Sequence, residues 1–232
     1  MKNILTLALL VLSTQVFAGE FEKDLDAFTT VKANGNFKLF LTKGDKHHVK
    51  VENNEPEITD DQVEITVQGG NLDVKIKGNT FKKLELKIYI TYEKVLNIDA
   101  SGGAWIKCES PLEGDEIDLS VRTDGIISAE LSCDKVNASI ITGKDIRLRG
   151  KVGIANLKVS TGGFISAVDL HADEVIAKVS TGGDISCWGS KKMDLKVNTG
   201  GTIKYKYDGE NESSNVQQKT VIAGNIEKLE SK

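Results

Sequence analysis

The sequence predicts an all-β protein wound as a parallel β-solenoid (β-helix) with about 19-20 residues per coil and irregular N-terminal strands as a cap. Three observations carry this. A column of turn residues, Gly103, Asp124, Gly143, Gly162, Gly182 and Gly200, recurs at intervals of 21, 19, 19, 20 and 18 residues. Three positions after each stands an isoleucine: Ile106, Ile127, Ile146, Ile165, Ile185 and Ile203. Around this pair of columns apolar residues alternate with polar ones, the period of a strand with one buried face.

The chain begins with a basic start, an apolar run from Ile4 to Val16, and Val16-Phe17-Ala18 before Gly19. That is the pattern of a secretory signal peptide over residues 1-18, cleaved after Ala18; the run is too short to span a bilayer, which takes roughly 20 residues. The mature part, 19-232, reads as a single β-solenoid domain, with no further apolar stretch long enough for a transmembrane helix. Its divisions are N-terminal strands and cap at 19-95, six regular coils at 96-207, and a tail with C-terminal cap at 208-232.

Within 19-95, Phe28 to Leu41 reads as an early coil with Asn34 in the turn column. Strand alternation follows at His48 to Glu52, Val63 to Val67, Leu72 to Ile76 and Leu84 to Tyr92, with Gln68-Gly69-Gly70-Asn71 as a hairpin turn. No helix is needed. Asp208 to Gln218 is polar and expected to be mobile, and Val221 to Leu229 is expected to help close the end of the stack.

In the regular coils the turn column demands a backbone that bends sharply, which glycine accepts at positive φ and aspartate tolerates better than most residues. Gly162, Gly182 and Gly200 are therefore structural. The isoleucine column points inward, and each buried member contributes roughly 1.5 to 3 kcal/mol. Cys108 and Cys187 share an inward column four coils apart, on the order of 19 Å, too far for a disulfide; with Cys133 they read as small buried hydrophobes.

Composition narrows the function. A net charge of -4 with interspersed signs is no footprint for nucleic acid. The glycine turns match neither a phosphate-binding loop nor a calcium-binding nonapeptide repeat. His47 and His48 are adjacent and point to opposite faces, while His171 is remote, so no metal site is expected. No nucleophile motif occurs, and no cofactor is expected.

The outward columns are where a ligand would sit. Lys158, Lys178 and Lys196 make a basic stripe suited to an acidic glycan or a lipid head group, although charged faces also serve solvation. Trp105 and Phe164, two after the turn column with Ile126, are exposed hydrophobes able to stack on sugar rings or a partner chain. Asp145 and Asp184 share that column two coils apart, roughly 10 Å, close to the spacing of an inverting carboxylate pair. Phe164 stands between them, and no third acid or arginine is expected to join them.

The segment Phe28 to Leu41 (FTTVKANGNFKLFL), the strand Lys87 to Tyr92 leading into Leu96 to Gly103, and the recurring Ser-Thr-Gly-Gly-x-Ile units resemble the bacterial family described as "putative auto-transporter adhesin, head GIN domain", a domain of unknown function. The resemblance covers most of the mature chain. It implies a right-handed β-solenoid in an exported protein, with an adhesin-like role and no catalytic residues to carry over. An autotransporter would also need a C-terminal membrane barrel, for which 232 residues leave no room.

The leading expectation is thus an exported, non-catalytic binding or scaffolding module at the cell envelope: periplasmic, on the outer surface or secreted. Its expected partners are a glycan or another envelope protein. The alternatives are a carbohydrate-active enzyme, a polysaccharide lyase or hydrolase on a β-helix, and a structural subunit that self-associates through its ends or sides.

Overall fold

The computed structural model describes residues 19–55, 58–77 and 85–230; the signal peptide expected at 1-18 lies outside them. The chain forms a β-solenoid of about seven turns. Its strands are β1 (Gly19–Asp24), β2 (Thr30–Asn34), β3 (Lys38–Lys43), β4 (His48–Asn53), β5 (Val63–Gln68), β6 (Asn71–Ile76), β7 (Leu86–Tyr92), β8 (Asn97–Ser101), β9 (Trp105–Cys108) and β10 (Leu112–Val121). Longer strands that wrap the coil follow: β11 (Ile126–Ile140), β12 (Asp145–Thr161), β13 (Phe164–Thr181) and β14 (Asp184–Tyr207), then a single helical turn α1 (Glu212–Asn215) and β15 (Val216–Lys228).

Each coil has three faces. In β13 the buried residues Ile165, Ala167, Leu170, Ala172, Val175, Ala177 and Val179 alternate, except for a slip of one position before Leu170 and another before Val175. Those slips coincide with the register shifts against β14 and mark two corners; the Gly-rich turn makes the third. We call the strand before the Gly turn face A, the strand after it face B, and the short remaining stretch face C.

The isoleucine column stacks in parallel register, Ile106 on Ile127, Ile127 on Ile146, Ile146 on Ile165 and Ile165 on Ile185. Ile203 carries it on to Ile226 of β15. All six predicted members are fully buried. Leu39 and Ile88 extend the same row towards the N-terminus. Cys108 and Cys187 are buried free thiols of the core, whereas Cys133 is half-buried and donates its S–H to the Lys135 carbonyl at 3.4 Å.

Two glycines, with different duties, build the later turns. Gly182 adopts φ +67° with open space where a Cβ would be, so only its backbone conformation calls for glycine. Gly201 adopts φ +85°, and a Cβ there would stand 2.3 Å from the Gly183 carbonyl oxygen one level away. In the turn column Gly143 departs from the expectation, for its φ is not positive. Space decides that position: a Cβ would lie 2.5 Å from Val121 Cγ1.

The N-terminal region departs from chain order. β2 pairs in parallel with both β6 and β8, and β3 with both β7 and β9, so the β2–β3 level is sandwiched between two levels that follow it in sequence. Beyond β6 and β7 the stack closes on antiparallel strands, β5 on one face and β4 then β1 on the other. The β5–β6 hairpin turns at Gly69-Gly70, where the sequence places it. Phe28 to Leu41 does form a coil, but its register differs by two residues from the expected one. Asn34 pairs with Ser101, and Asn36 lies over Gly103, because Leu39 rather than Phe37 continues the isoleucine column.

At the other end Tyr205 and Tyr207 carry the core towards polar partners. The Tyr205 hydroxyl donates to Glu212 Oε1 (3.2 Å) and accepts from Gln218 Nε2 (2.8 Å), and the Tyr207 hydroxyl donates to the Glu210 carbonyl (2.9 Å). The polar stretch expected to be mobile therefore contains α1 and the start of β15, anchored by these hydroxyls. The expectation that no helix occurs gives way to α1 and to a short 3-10 turn at Asp60–Gln62.

Candidate functional site

The alternation that sends Val159, Val179 and Val197 inward sends Lys158, Lys178 and Lys196 outward on face A. Lys158 pairs in register with Lys178, Lys178 with Lys196, and Lys196 with Lys219 of β15. The stripe of three is a ladder of four, one lysine per level at about 4.8 Å spacing. Lys158, Lys178 and Lys219 are exposed and Lys196 is half-buried.

Among the described residues, these ammonium groups have no carboxylate partner. Other surface lysines do, with Lys135 on Glu116 at 2.7 Å, Lys191 on Asp173 at 3.0 Å and Lys43 on Glu113 at 2.6 Å. Unit charges at this spacing repel by about 1 kcal/mol per pair in water before screening. A row of anions laid along the ladder would relieve that repulsion.

Hydrogen-bonding side chains border the ladder. Two residues earlier on the same face Asn156 donates to Asn137 Oδ1 (2.8 Å), and Asn137 donates to Asp118 Oδ1 (2.7 Å). Two residues later stand Ser160 and Ser180. In the same column as Asn156, Ile176 stands two before Lys178 and the acidic Asp194 two before Lys196.

Trp105 and Phe164 belong to a different surface. Both lie on face B in a row that runs Lys38, Trp105, Ile126, Asp145, Phe164, Asp184. Three levels, about 14 Å, separate the two rings. Trp105, Ile126 and Phe164 are half-buried rather than exposed. Phe40 stacks on Tyr89 with ring centroids 5.1 Å apart, Trp105 meets Phe40 edge-on at 5.9 Å, and Lys38 Nζ lies 5.4 Å from the Trp105 ring centre. The Tyr89 hydroxyl donates to Glu52 Oε2 at 3.0 Å. Trp105 thus closes a self-stacked aromatic row, and the structure does not join it to Phe164 or to the lysines.

Asp145 and Asp184 flank Phe164 as expected, and Arg147, two residues along the same strand face, pairs with Asp145 at 2.9 Å but not with Asp184. Among the described residues no group of three or more His, Cys, Asp or Glu side chains is arranged to hold a metal ion. His48 lies 2.8 Å from Asp24, whereas His47 packs edge-on against Phe28 with centroids 4.6 Å apart, so the two rings do point apart.

Sequence reasoning missed three features. Lys219 escaped because α1 stretches the last interval to 23 residues between Lys196 and Lys219; Ile226, in the isoleucine column, is the signal that would have found it. Phe40 and Tyr89 escaped because their stacking follows from strand order rather than sequence proximity. The third is a group on face C, where His171 meets Trp188 edge-on at 4.6 Å and Lys206 Nζ lies 4.1 Å from the Trp188 ring centre.

Residues 27–209 match the family model described as "Putative auto-transporter adhesin, head GIN domain". The chain belongs to this family. Similar solved structures include a "putative adhesin" from Bacteroides fragilis, with TM-score 0.77 and 23% identity over 90% of this chain and 96% of that one. A "putative adhesin" from Parabacteroides merdae has TM-score 0.69 and 22% identity, covering 91% and 96%. A "putative lipid binding protein" from Parabacteroides distasonis has TM-score 0.72 and 17% identity, with the same coverage of 91% and 96%. At these identities the likeness is one of fold. No curated protein matches the sequence. Among the described residues no helix is long and apolar enough to cross a membrane.

Proposed function

We propose that this GIN-domain protein is exported and acts as a non-catalytic binding module at the cell envelope, holding an acidic polysaccharide along Lys158, Lys178 and Lys196. The observation that carries the reading is the ladder itself: in-register lysines, continued by Lys219, with no ion pair among the described residues. The amide and hydroxyl side chains beside it suit sugar hydroxyls. Export rests on the signal-peptide pattern of residues 1-18, and the adhesin-like role agrees with the family description.

The test uses residues 19–232 against acidic and neutral polysaccharides, with anionic lipid vesicles as a separate arm. Binding is expected to acidic polysaccharide, to weaken with salt, and to fall at least tenfold when Lys158, Lys178 and Lys196 are changed together to Ala. Unaltered affinity in that variant, or binding to vesicles alone, overturns the reading. So does release of reducing ends or unsaturated sugars that is lost in Asp145→Asn, which would establish the carbohydrate-active enzyme instead.

A further inference from the structure

A stack of parallel strands has two ends, and this one treats them differently. The N-terminal end closes on β1 and β5, antiparallel strands of six residues each. The C-terminal end closes on β15, thirteen residues long and, among the described residues, paired only with β14. Nearly all of β15 is exposed, and it carries Val221 and Ile222, 51% and 74% exposed. A long edge with unpaired backbone groups is a template for another strand.

The free groups can be located. Leu229 donates its N–H to the Tyr205 carbonyl, so by strand alternation Glu227 faces β14 while Ile226 and Lys228 direct their backbone groups outward. On face A the N–H of Asp118 goes to Leu96 of the level before it, and Gln217 occupies the same column through Asp194. Gln217 and Lys219 therefore face β14, and Gln218 and Thr220 have their groups free.

We infer that β15 is the docking edge for a second copy of this chain, paired antiparallel about a two-fold axis at Ala223. That axis sets Gln218 opposite Lys228, Thr220 opposite Ile226, and Lys219 opposite Glu227. Three separate conditions are met at once. The first two pairings join residues whose backbone groups are free, as a hydrogen-bonded antiparallel pair requires. All three join side chains that lie on the same side of their strand, since Gln218, Thr220, Ile226 and Lys228 share the inward columns of Leu195, Val197, Ile203 and Tyr205. The third places a lysine against a glutamate, twice by symmetry.

Other axes fail one of these. Shifting to Ile222 sets Lys219 against Asn225, and shifting to Gly224 sets it against Leu229. β15 rounds the corner between faces A and B, pairing with Met193–Val197 before it and Thr202–Tyr205 after it. A two-fold at that corner joins face A of one copy to face B of the other and brings Val221 and Ile222 of both copies beside the axis.

Light scattering on size-exclusion eluates of residues 19–232, over a wide concentration range, tests the assignment. The mass is expected to reach that of two chains and go no further. Glu227→Lys and Lys219→Glu should each shift the chain to monomer, and the two changes together should restore the dimer. Thr220→Pro removes an outward N–H without removing a bond to β14, and should give a monomer with the parent's far-ultraviolet circular dichroism spectrum. A parent that stays monomeric throughout, growth beyond two chains, or single reversals that dimerise like the parent would each overturn the inference. Glu227 lies off the lysine ladder, so Glu227→Lys separates this interface from polysaccharide binding.

Discussion

Gly201 and Gly183 approach so closely, one level above the other, that a Cβ on Gly201 would stand 2.3 Å from the Gly183 carbonyl oxygen. The second glycine of each late Gly-Gly turn is therefore fixed by the packing between levels, and the first by its backbone angle alone. Gly182→Asn is expected to cost about 1 kcal/mol or less, since asparagine tolerates the left-handed region. Gly201→Ala should cost about 2 to 5 kcal/mol from overpacking and an unfavourable φ together. Urea titration of both variants checks the contrast, and equal midpoints would refute it.

Ile165 is fully buried and its neighbour Ser166 faces outward. An aspartate at 165 would place a charge among stacked isoleucines with no partner. Ile165→Asp is expected to abolish soluble accumulation, whereas Ser166→Asp should accumulate as the parent does. Measuring soluble yield decides the matter, and like behaviour of the two would contradict the register.

Acid should loosen the fold. Asp24 is held below the ordinary carboxylate range by His48 and Lys46, Glu52 by Lys50 and the Tyr89 hydroxyl, Glu113 by Lys43, Glu116 by Lys135 and Asn137, and Asp173 by Lys191. Depressed carboxyls stabilise the fold above their unfolded pKa of about 3.9 to 4.3 and lose that contribution as pH falls through the folded values. The groups are exposed, so each effect is small. The melting temperature should hold from neutral pH to about 4.5 and fall below about 4. A rise on acidification would oppose this. At the alkaline end Lys50 and Lys228 are held above their usual range by Glu20 and Glu212, so their contribution disappears only beyond about pH 10.4.

Burial pushes the Cys108 and Cys187 thiols up to about 12 and Cys133 to about 11. At about pH 8 a folded chain should therefore react slowly with an aromatic disulfide reagent, with Cys133 the fastest of the three. In urea all three should react at once. Rapid native labelling of Cys108 or Cys187 would count against the placement of their column.

The regular coils were legible because a fixed period writes the same side chain at the same height: once Ile127, Ile146 and Ile165 are aligned, the inward and outward columns follow. The start of the stack was not, because β4 to β6 intervene between β3 and β7, and β4 to β8 between β3 and β9, and no period spans that detour. The lysine column could be read as three members, but the α1 insertion hid Lys219. Trp105 could be singled out as an outward aromatic. That it is occupied by Phe40 depends on β3 lying beside β9, a long-range pairing that local pattern does not encode.

That detour also dictates an order of assembly. Thr30 and Asn97 meet across 67 residues of chain, whereas Asn137 and Asn156 meet across only 19. The costly loop closure falls between β2–β3 and the strands up to the start of β10, within residues 30–113, and every later coil adds to a surface already in place. The molecule is a seed followed by a ribbon: shortening it from the far end should leave a smaller but growing tip, while removing β2 and β3 should leave the remaining coils with nothing on which to begin winding.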